Sequence, residues 1–375
     1  MADIVRTHHR DLLARWNPVL SREQRKALRD VRDCRSAALG GRVEQCDRCG
    51  HRVILYNSCR NRHCPKCQAM ARARWLAQRE TELLPVPYFH VVFTIPASIG
   101  RLALQNPKQI YTILFRAAAA RDPRLLGASI GFLAVLHTWG QNLHLHPHLH
   151  CVVPGGGISL SGSRWSGCRK SSFFLPVRLL SHQFRKSFLR ALRRVFRKGA
   201  LRFHGDLKSL SQPAAFDALC ENAAAVDGVV HSQPPFGGPR RVLKYLARYT
   251  HRVAISNHRL RSLENGRVSF EWKDYADRSR TKLLTLDAVE FLRRFLLHLL
   301  PTGLVRLRQF GFLANRVRKS KLELCRNLLA AGRPQPRSLS GKLAEDPQPC
   351  PICNFGRLLV IEWIAVLSIN FPDTS

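Results

Sequence analysis

The sequence predicts an α+β protein in which helices flank an antiparallel sheet, with a cysteine-rich module near the N-terminus. Three apolar runs rich in β-branched and aromatic residues indicate strands, namely Tyr88–Pro96, Gly131–Trp139 and His148–Val153. Only a short connection joins the last two runs, whereas a parallel pair needs a crossover of a dozen or more residues. Hairpin pairing, and hence an antiparallel sheet beside separate helices, follows from these lengths.

Helices are predicted before and after these strands along the chain. Apolar residues recur at helical intervals within residues 1–45, at Leu12, Leu13, Trp16, Leu20 and Leu28. Further helices are expected at Pro107–Ala120, Phe173–Lys198, Arg240–Arg252 and Asp287–Leu300, and a hairpin at Val253–Phe270 with its turn at Glu264-Asn265-Gly266. We expect a helical, cysteine-rich part at 1–84, a sheet-bearing part at 85–332, and a linker with a C-terminal tail at 333–375.

The charge of the chain predicts a polyanionic partner. Of 375 residues, 61 are Lys or Arg and 25 are Asp or Glu, which gives a formal net charge of +36. Positive charges at this density repel one another unless a polyanion is present. Most of the cations are Arg, whose planar guanidinium group can donate two hydrogen bonds to the oxygens of one phosphate. A G+C-rich genome would also raise the arginine content. The 45% hydrophobic content excludes a wholly disordered protein.

No segment has the pattern of a membrane span or a signal peptide. The N-terminus lacks an uninterrupted apolar core, and the apolar run Leu358–Phe371 is too short to span a bilayer and carries Glu362. We therefore expect a cytoplasmic protein, associated with the nucleoid if its polyanion is DNA. In that reducing compartment the twelve cysteines predict metal binding rather than disulfides.

Four cysteines have the spacing of a structural zinc site. The pairs Cys46-x2-Cys49 and Cys64-x2-Cys67 each present two sulfurs from a tight turn, and two such pairs complete a tetrahedron. Four thiolates leave no open position for a substrate, so this zinc-ribbon-like module is predicted to be structural. Cys59 and His63 are alternative ligands, and Cys34 and His51 are weaker candidates. Cys350-x2-Cys353 is only half a site, and three outcomes stay open for it: completion by Cys59 and His63, completion by another pair, or no metal binding. The module also carries basic residues that we expect to contact DNA: Arg60, Arg62 and Lys66.

Alternate histidines indicate a second kind of metal site. His148 and His150 would project from the same face of a strand, and hairpin pairing would bring His137 beside them. Pro147 is predicted to begin that strand, with His146 in the preceding turn. Three neutral imidazoles can hold a divalent ion and leave positions open for substrate. The alternative is that these histidines are structural.

The segment around the histidines contains no carboxylates. From Pro123 through Gly205 there is no Asp or Glu. A nuclease that holds Mg²⁺ with carboxylates needs at least one on a core strand. Any ion here must therefore be held mainly by nitrogen.

The predicted helix Arg240–Arg252 carries two tyrosines. Tyr245 and Tyr249 are four residues apart and therefore neighbours, at the border of the face that bears Arg241 and Arg248. On helix evidence alone they are boundary residues that anchor the helix. Beside a histidine metal site and a polyanion, a tyrosine hydroxyl can instead attack a phosphodiester, which gives a 5′-phosphotyrosine and a free 3′-OH.

Several motifs together resemble the transposases of the insertion sequence 91 family. They are YNSCRNRHCPKCQ, PYFHVVFTIP, HPHLHCVVPGGG, KYLARYTHRVAISNHRL and WKDYADRSRTKLLTL. The resemblance extends over nearly the whole chain. It implies a rolling-circle enzyme of the HUH class, with an N-terminal zinc-binding domain and a ferredoxin/RRM-like sheet that carries the histidines. Leu304 and Gln309 depart from the pattern, where an aromatic residue and a histidine are expected, and the tail after Cys353 is unfamiliar.

The resemblance also implies roles for particular residues. His148 and His150 would bind the catalytic ion, Mg²⁺ or Mn²⁺, with His137 as the third ligand and Gln141 or His146 as rivals. Tyr245 and Tyr249 would be the nucleophiles, with Tyr249 as the first candidate and Tyr245 as the second. The substrate would be single-stranded DNA at element ends, with host replication proteins as possible partners.

Two other functions are compatible with parts of the sequence. A non-catalytic, zinc-dependent DNA-binding protein would use the cysteines and leave the histidines structural. A recombinase with a carboxylate-bound metal would need residues outside the acid-free segment, such as Asp206, Asp217, Glu271 or Asp287.

Overall fold

The computed structural model describes residues 1–119, 127–168, 176–225, 230–233, 241, 254–275, 277–330 and 349–366. Its helices are α1 (Ala2–Trp16), α2 (Arg22–Asp33), α3 (Gln68–Glu80), α4 (Gly100–Gln105), α5 (Pro107–Ala119), α6 (Val177–Arg197), α7 (Pro213–Ala225), α8 (Ala288–Leu297) and α9 (Arg318–Ala330). Its strands are β1 (Gly41–Cys46), β2 (Arg52–Tyr56), β3 (Tyr88–Thr94), β4 (Ala128–Ser129), β5 (Phe132–Trp139), β6 (Leu145–Pro154), β7 (Gly156–Ser159), β8 (Trp165–Gly167), β9 (Val230–Gln233), β10 (Leu260–Glu264), β11 (Arg267–Asp274), β12 (Arg280–Asp287), β13 (Leu307–Phe310) and β14 (Leu358–Ile364).

A five-stranded antiparallel sheet forms the centre of the fold. Its strand order is β13-β5-β6-β3-β9, and β5 and β6 form the predicted hairpin, with His137 opposite His148 and Val135 opposite His150. Three smaller antiparallel sheets have the orders β14-β1-β2, β10-β11-β12 and β4-β7-β8. The prediction of an α+β fold with antiparallel sheets is therefore confirmed.

The start of β6 differs from the prediction. The strand begins at Leu145, so His146 belongs to it and Pro147 does not mark its first residue. The β5–β6 register shifts between His137 and Trp139, which indicates a bulge beside the proline. Proline is tolerated at such an irregularity because the residue has no N–H for the ladder. Its carbonyl still accepts a hydrogen bond from the Ile95 amide at 3.2 Å.

One face of the central sheet packs on helices α4 to α7. Side chains that alternate along the strands, such as Phe93, Leu136, Leu149 and Cys151, are fully buried there. The alternate residues point to the opposite face, because successive side chains in a strand project to opposite sides. That opposite face carries His90, His137, His148 and His150.

A separate apolar core covers one end of this histidine-bearing face. Tyr88, Leu133 and Val152 pack there against Phe312 and against Leu322 of α9. A second core, around Trp139 and Leu143, begins at the opposite end of the same strands. The histidines therefore lie between two hydrophobic clusters.

The N-terminal helices belong to that second core and pack on the later part of the chain. Val5 and Leu12 of α1 are fully buried in the same cluster as Phe270 of β11 and Phe291 of α8. Gln24, the last residue of a capping box at the start of α2, also donates its side-chain amide to the Leu296 carbonyl at 3.0 Å.

The cysteine-rich part contains a sheet that the sequence did not predict. The helical stretch expected over 1–45 ends at Asp33, and β1 begins at Gly41. Gly40 has a φ of +64°, a conformation that favours glycine, and a Cβ at Gly41 would lie 2.5 Å from the Leu55 carbonyl oxygen. The two glycines therefore allow the turn into β1 and the close pairing of its first residue.

Other predicted elements agree closely with the structure. The hairpin β10–β11 turns at Asn265 and Gly266, both with positive φ as a type I′ turn requires. Helices α5, α6 and α8 lie within the predicted ranges. The predicted helix at 240–252 lies outside the described residues apart from Arg241. Among the described residues, no helix has both the length and the apolar character needed to cross a membrane. The boundaries proposed at 84/85 and 332/333 stay predictions.

Candidate metal centres

Three histidines from the central hairpin converge on one point. One ring nitrogen from each of His137, His148 and His150 lies within 4.8 Å of the other two, and their residues are 2%, 8% and 8% exposed. The sheet register produces this arrangement, because His137 is paired with His148 and His150 is two residues further along the same face. Within the described part of the chain, no carboxylate joins this group of ligands, in keeping with the acid-free segment.

Hydrogen bonds on the outer side orient two of these rings. The Nδ1 of His148 lies 2.5 Å from the His146 carbonyl, which can only accept, so Nδ1 carries the proton and Nε2 faces the cluster. The Nδ1 of His150 lies 2.8 Å from the Nε2 of His90. When His150 donates to His90, its own Nε2 is also available to a cation.

The distance between the two inner nitrogens fits a shared cation. The Nε2 atoms of His148 and His150 are 3.0 Å apart. Two nitrogens about 2.1 Å from one ion and at right angles are about 3.0 Å apart. With both Nδ1 atoms protonated, the two lone pairs would face each other, and a cation between them removes that repulsion.

Burial keeps the imidazoles of His148 and His150 in the neutral form that binds metals. Burial lowers the pKa of His148 to about 4, and it lowers the pKa of His150 well below its usual 6.5. For His150 the neighbouring His137 is the next cause. Both rings are therefore ready to bind a metal at neutral pH without first losing a proton.

The structure gives the rival third ligands other contacts. The Gln141 side-chain amide donates to the Tyr275 hydroxyl at 3.3 Å. His146 is exposed and supplies its backbone carbonyl to His148. Of the three candidates for the third ligand, His137 is the one whose ring nitrogen lies together with those of His148 and His150. His90 was not predicted as part of this site, although it alternates with the apolar residues Phe89 and Val91 in β3 and therefore lies on the histidine-bearing face.

The proposed nucleophiles are not part of the described structure. Tyr245 and Tyr249, together with Arg248, lie outside the described residues. Among the predicted DNA contacts, Arg241 and Arg60 are exposed and Lys66 is partly buried.

Arg62 has an internal role that the sequence did not indicate. Although partly exposed, its guanidinium donates to the carbonyls of Leu300, Pro301 and Leu304 at 2.7 to 3.0 Å. Its Nε also donates to the Nε2 of His63 at 3.2 Å. Arg62 therefore links the cysteine-rich region to the end of α8. His63 is buried with a pKa lowered to about 3, mainly by burial, and it does not join a cysteine cluster.

The structure divides the four predicted zinc ligands between two clusters. Cys64 and Cys67 lie with Cys34 and Cys59, which we call cluster I. Cys46 and Cys49 lie with Cys350 and Cys353, which we call cluster II. The single site predicted from Cys46, Cys49, Cys64 and Cys67 is therefore wrong as a set. A C-x2-C pair fixes two ligands locally, but the fold decides which pairs meet.

Cluster I has the geometry of a tetrahedral thiolate site. Its sulfurs are 3.5 Å apart for Cys34 and Cys67, 3.5 Å for Cys59 and Cys67, and 3.6 Å for Cys34 and Cys64. Sulfurs about 2.3 Å from one zinc ion stand about 3.8 Å apart, whereas disulfide sulfurs are about 2.05 Å apart. A hydrogen bond from Cys59 lowers the pKa of the Cys64 thiol to about 5, with backbone hydrogen bonds in support. Cys64 can therefore bind a metal ion at neutral pH as a thiolate.

Comparison with known proteins extends over most of the chain. Residues 131–321 match a family described as "Putative transposase", and residues 4–95 match a "Transposase zinc-binding domain". A relative from Sinorhizobium fredii (strain NBRC 101917 / NGR234), named "Putative transposase y4qJ", is 50% identical, and the alignment covers 96% of this chain and 94% of the relative. The chain belongs to the insertion sequence 91 family of transposases.

A more distant relative of this transposase is consistent with that assignment. The "Transposase for insertion sequence element IS801" of Pseudomonas savastanoi pv. phaseolicola is 28% identical, and the alignment covers 90% of this chain and 83% of the relative. No solved structure matches the transposase significantly. The zinc-binding match contains all four cysteines of cluster I but only Cys46 and Cys49 of cluster II.

Proposed function

We propose that this transposase is an HUH-class enzyme that cuts and rejoins single-stranded DNA at element ends by tyrosine transesterification. The observation that carries the proposal is the convergence of three buried imidazoles from His137, His148 and His150. Such a site, without carboxylates, holds an ion with nitrogen and leaves positions for phosphate oxygens. We further propose that the central sheet is the ferredoxin/RRM-like core of this class.

The proposed chemistry divides between the ion and the chain. A bound Mg²⁺ or Mn²⁺ would polarise the scissile phosphodiester. The hydroxyl of Tyr249 attacks the phosphorus atom and loses its proton, the bond to the 3′ oxygen breaks, and that oxygen leaves as a 3′-OH. The 5′-phosphotyrosine stores the bond for rejoining to another 3′-OH, and Tyr245 provides a second such step.

The charge of the protein supports a DNA substrate. The exposed side of α6 is rich in Lys and Arg, while Phe184, Phe188 and Leu192 bury its other side in the core. With a net charge of +36, the surface attracts phosphates strongly at low salt. We propose Arg60, Lys66, Arg241 and Arg248 as DNA contacts, and host replication proteins as partners of the reaction.

A cleavage assay on single-stranded oligonucleotides from the element ends tests the proposal. We expect a denaturant-resistant protein–DNA adduct that needs Mg²⁺ or Mn²⁺ and disappears in the Tyr245→Phe/Tyr249→Phe double variant. Tyr56→Phe, on an exposed residue of β2, is the matched control and should keep the adduct.

Two results would contradict the proposal. The first is cleavage that persists in the double tyrosine variant. The second is DNA binding that is unaffected by His148→Ala, with no cleavage under any divalent metal. The second result would favour a non-catalytic, zinc-dependent DNA-binding protein.

A further inference from the structure

The C-terminal segment folds back onto the cysteine-rich hairpin near the N-terminus. Strand β14 pairs antiparallel with β1 over its whole length, from Cys46 opposite Leu358 to Gly41 opposite Ile364. Just before β14, Pro349 forms a bridge with Arg357, which closes a tight loop containing Cys350 and Cys353. The chain therefore brings together two C-x2-C pairs that are about 300 residues apart in sequence.

The four sulfurs of cluster II have the spacing of a common ion site. The Cys46 and Cys353 sulfurs are 3.7 Å apart, and the Cys49 and Cys350 sulfurs are 3.6 Å apart. These distances exclude disulfides and are close to the value of about 3.8 Å for thiolates around one zinc ion.

Backbone amides on both loops point at the ligand sulfurs. The Arg48 and Cys49 amides lie 3.4 and 3.5 Å from the Cys46 sulfur, and the Gly356 amide lies 3.3 Å from the Cys353 sulfur. Such N–H···S hydrogen bonds stabilise the negative charge that a metal-bound cysteine sulfur carries and orient the sulfur towards the ion.

Gly356 leaves the space that this arrangement needs. A Cβ at Gly356 would lie 2.3 Å from the Cys46 sulfur, a distance at which one of the two groups must move. The loop also contains Asn354 with a φ of +58°, and its amide donates to the Cys350 carbonyl at 2.9 Å. The Arg357 amide donates to the Asp47 carboxylate at 2.8 Å, which fixes one loop against the other.

The sheet β14-β1-β2 has little hydrophobic burial to hold it together. Most residues of β2 and β14 are exposed, including Ile54, Ile361 and Trp363. The buried residues at this end are instead Cys46 and Cys350, at 3% and 0% exposure. A small sheet without a core needs another source of stability, and a metal ion is the usual one.

We propose that Cys46, Cys49, Cys350 and Cys353 bind a second structural zinc ion, which fastens the C-terminal segment to the N-terminal hairpin. Zinc fits because four thiolates in a tetrahedral arrangement form a closed, redox-inert site. Two of the four ligands lie outside the matched zinc-binding domain. The inference is independent of the proposed tyrosine chemistry.

Metal analysis of the full-length protein tests this inference. After removal of weakly bound metal, mass spectrometry should find two zinc equivalents per chain. Cys350→Ser/Cys353→Ser should retain one equivalent, while Cys168→Ser, a partly buried cysteine outside both clusters, should retain two. A wild-type content of one equivalent, a double variant that retains two, or iron in place of zinc would overturn the proposal.

A second variant keeps every ligand and so separates metal loss from loss of a cysteine. Gly356→Ala should lower the zinc content towards one equivalent, and Gly167→Ala, where nothing lies within 4 Å of the added Cβ, should leave it at two. Hydrogen exchange should show faster exchange of the β14 amides in Gly356→Ala, with the amides of β6 unchanged. Full zinc content and unchanged β14 protection in Gly356→Ala would contradict the inference.

Discussion

Removal of the imidazole of His90 should weaken metal binding at the histidine site without removing a ligand. The Nε2 of His90 lies 2.8 Å from the Nδ1 of His150, and His90 is 2% exposed, so water cannot easily replace it. Loss of such an outer partner typically reduces metal affinity by about 10- to 100-fold, which is about 1.4 to 2.8 kcal/mol. His90→Phe keeps the volume of the ring and removes the acceptor, whereas His90→Gln can place an amide oxygen near the same position.

Titration with Mn²⁺, followed by the electron paramagnetic resonance signal of the free ion, measures this affinity. Thiolate clusters loaded with zinc do not compete, because Mn²⁺ is a hard cation that binds soft thiolates poorly. We expect His90→Phe to bind at least tenfold more weakly and His90→Gln to recover part of the loss. His231→Phe, an exposed residue on the neighbouring strand β9, is the control. If the dissociation constant of His90→Phe for Mn²⁺ is within twofold of the wild-type value, the hydrogen bond does not orient His150 and the reasoning is wrong.

Three further predictions concern the stability of the fold and the zinc content of cluster I. Arg62→Ala should lower the free energy of unfolding by about 2 to 3 kcal/mol in a denaturant titration, because it removes charged hydrogen bonds to three carbonyls. Arg60→Ala should change the free energy of unfolding by less than about 0.5 kcal/mol. Equal effects of the two substitutions would contradict the role of Arg62. Burial lowers the pKa of His298 to about 4, whereas the pKa is about 6.5 in the unfolded chain. The neutral ring therefore contributes about 3 kcal/mol to the free energy of unfolding above pH 6.5, and this contribution is lost as the pH falls to about 4. Denaturant titrations across that range should show a flatter pH dependence in His298→Gln, and an unchanged slope would refute this. Cys34→Ser should lose one zinc equivalent in metal analysis, although Cys34 lies in no C-x2-C pair. His63→Gln should lose no zinc. The reverse result would show that His63, and not Cys34, is a zinc ligand.

The sequence predicted the part of the fold that depends on neighbouring residues. Apolar runs rich in β-branched and aromatic residues located β3, β5 and β6, and the short connection between β5 and β6 indicated that those two strands pair antiparallel. The alternation of side chains along a strand placed His148 and His150 on one face. The prediction failed at Pro147, where a bulge allows the strand to begin two residues earlier.

The sheet of the cysteine-rich region could not be predicted in the same way. β1 and β14 are more than 300 residues apart, and neither has the alternating burial of a strand that packs on a core. Their pairing depends on close approaches at Gly40 and Gly356 rather than on an apolar pattern. Sequence periodicity reports burial, so it gave no signal where burial is slight.

The sequence by itself determined which residues are suited to bind metal and which are close to one another along a strand or a turn. Tertiary structure alone decided the partners: Cys46 and Cys49 meet Cys350 and Cys353, Cys64 and Cys67 meet Cys34 and Cys59, and His90 supports His150 from a neighbouring strand. The physical reason is that a local motif fixes two ligands of a tetrahedron, while the other two depend on contacts between segments that are distant in sequence.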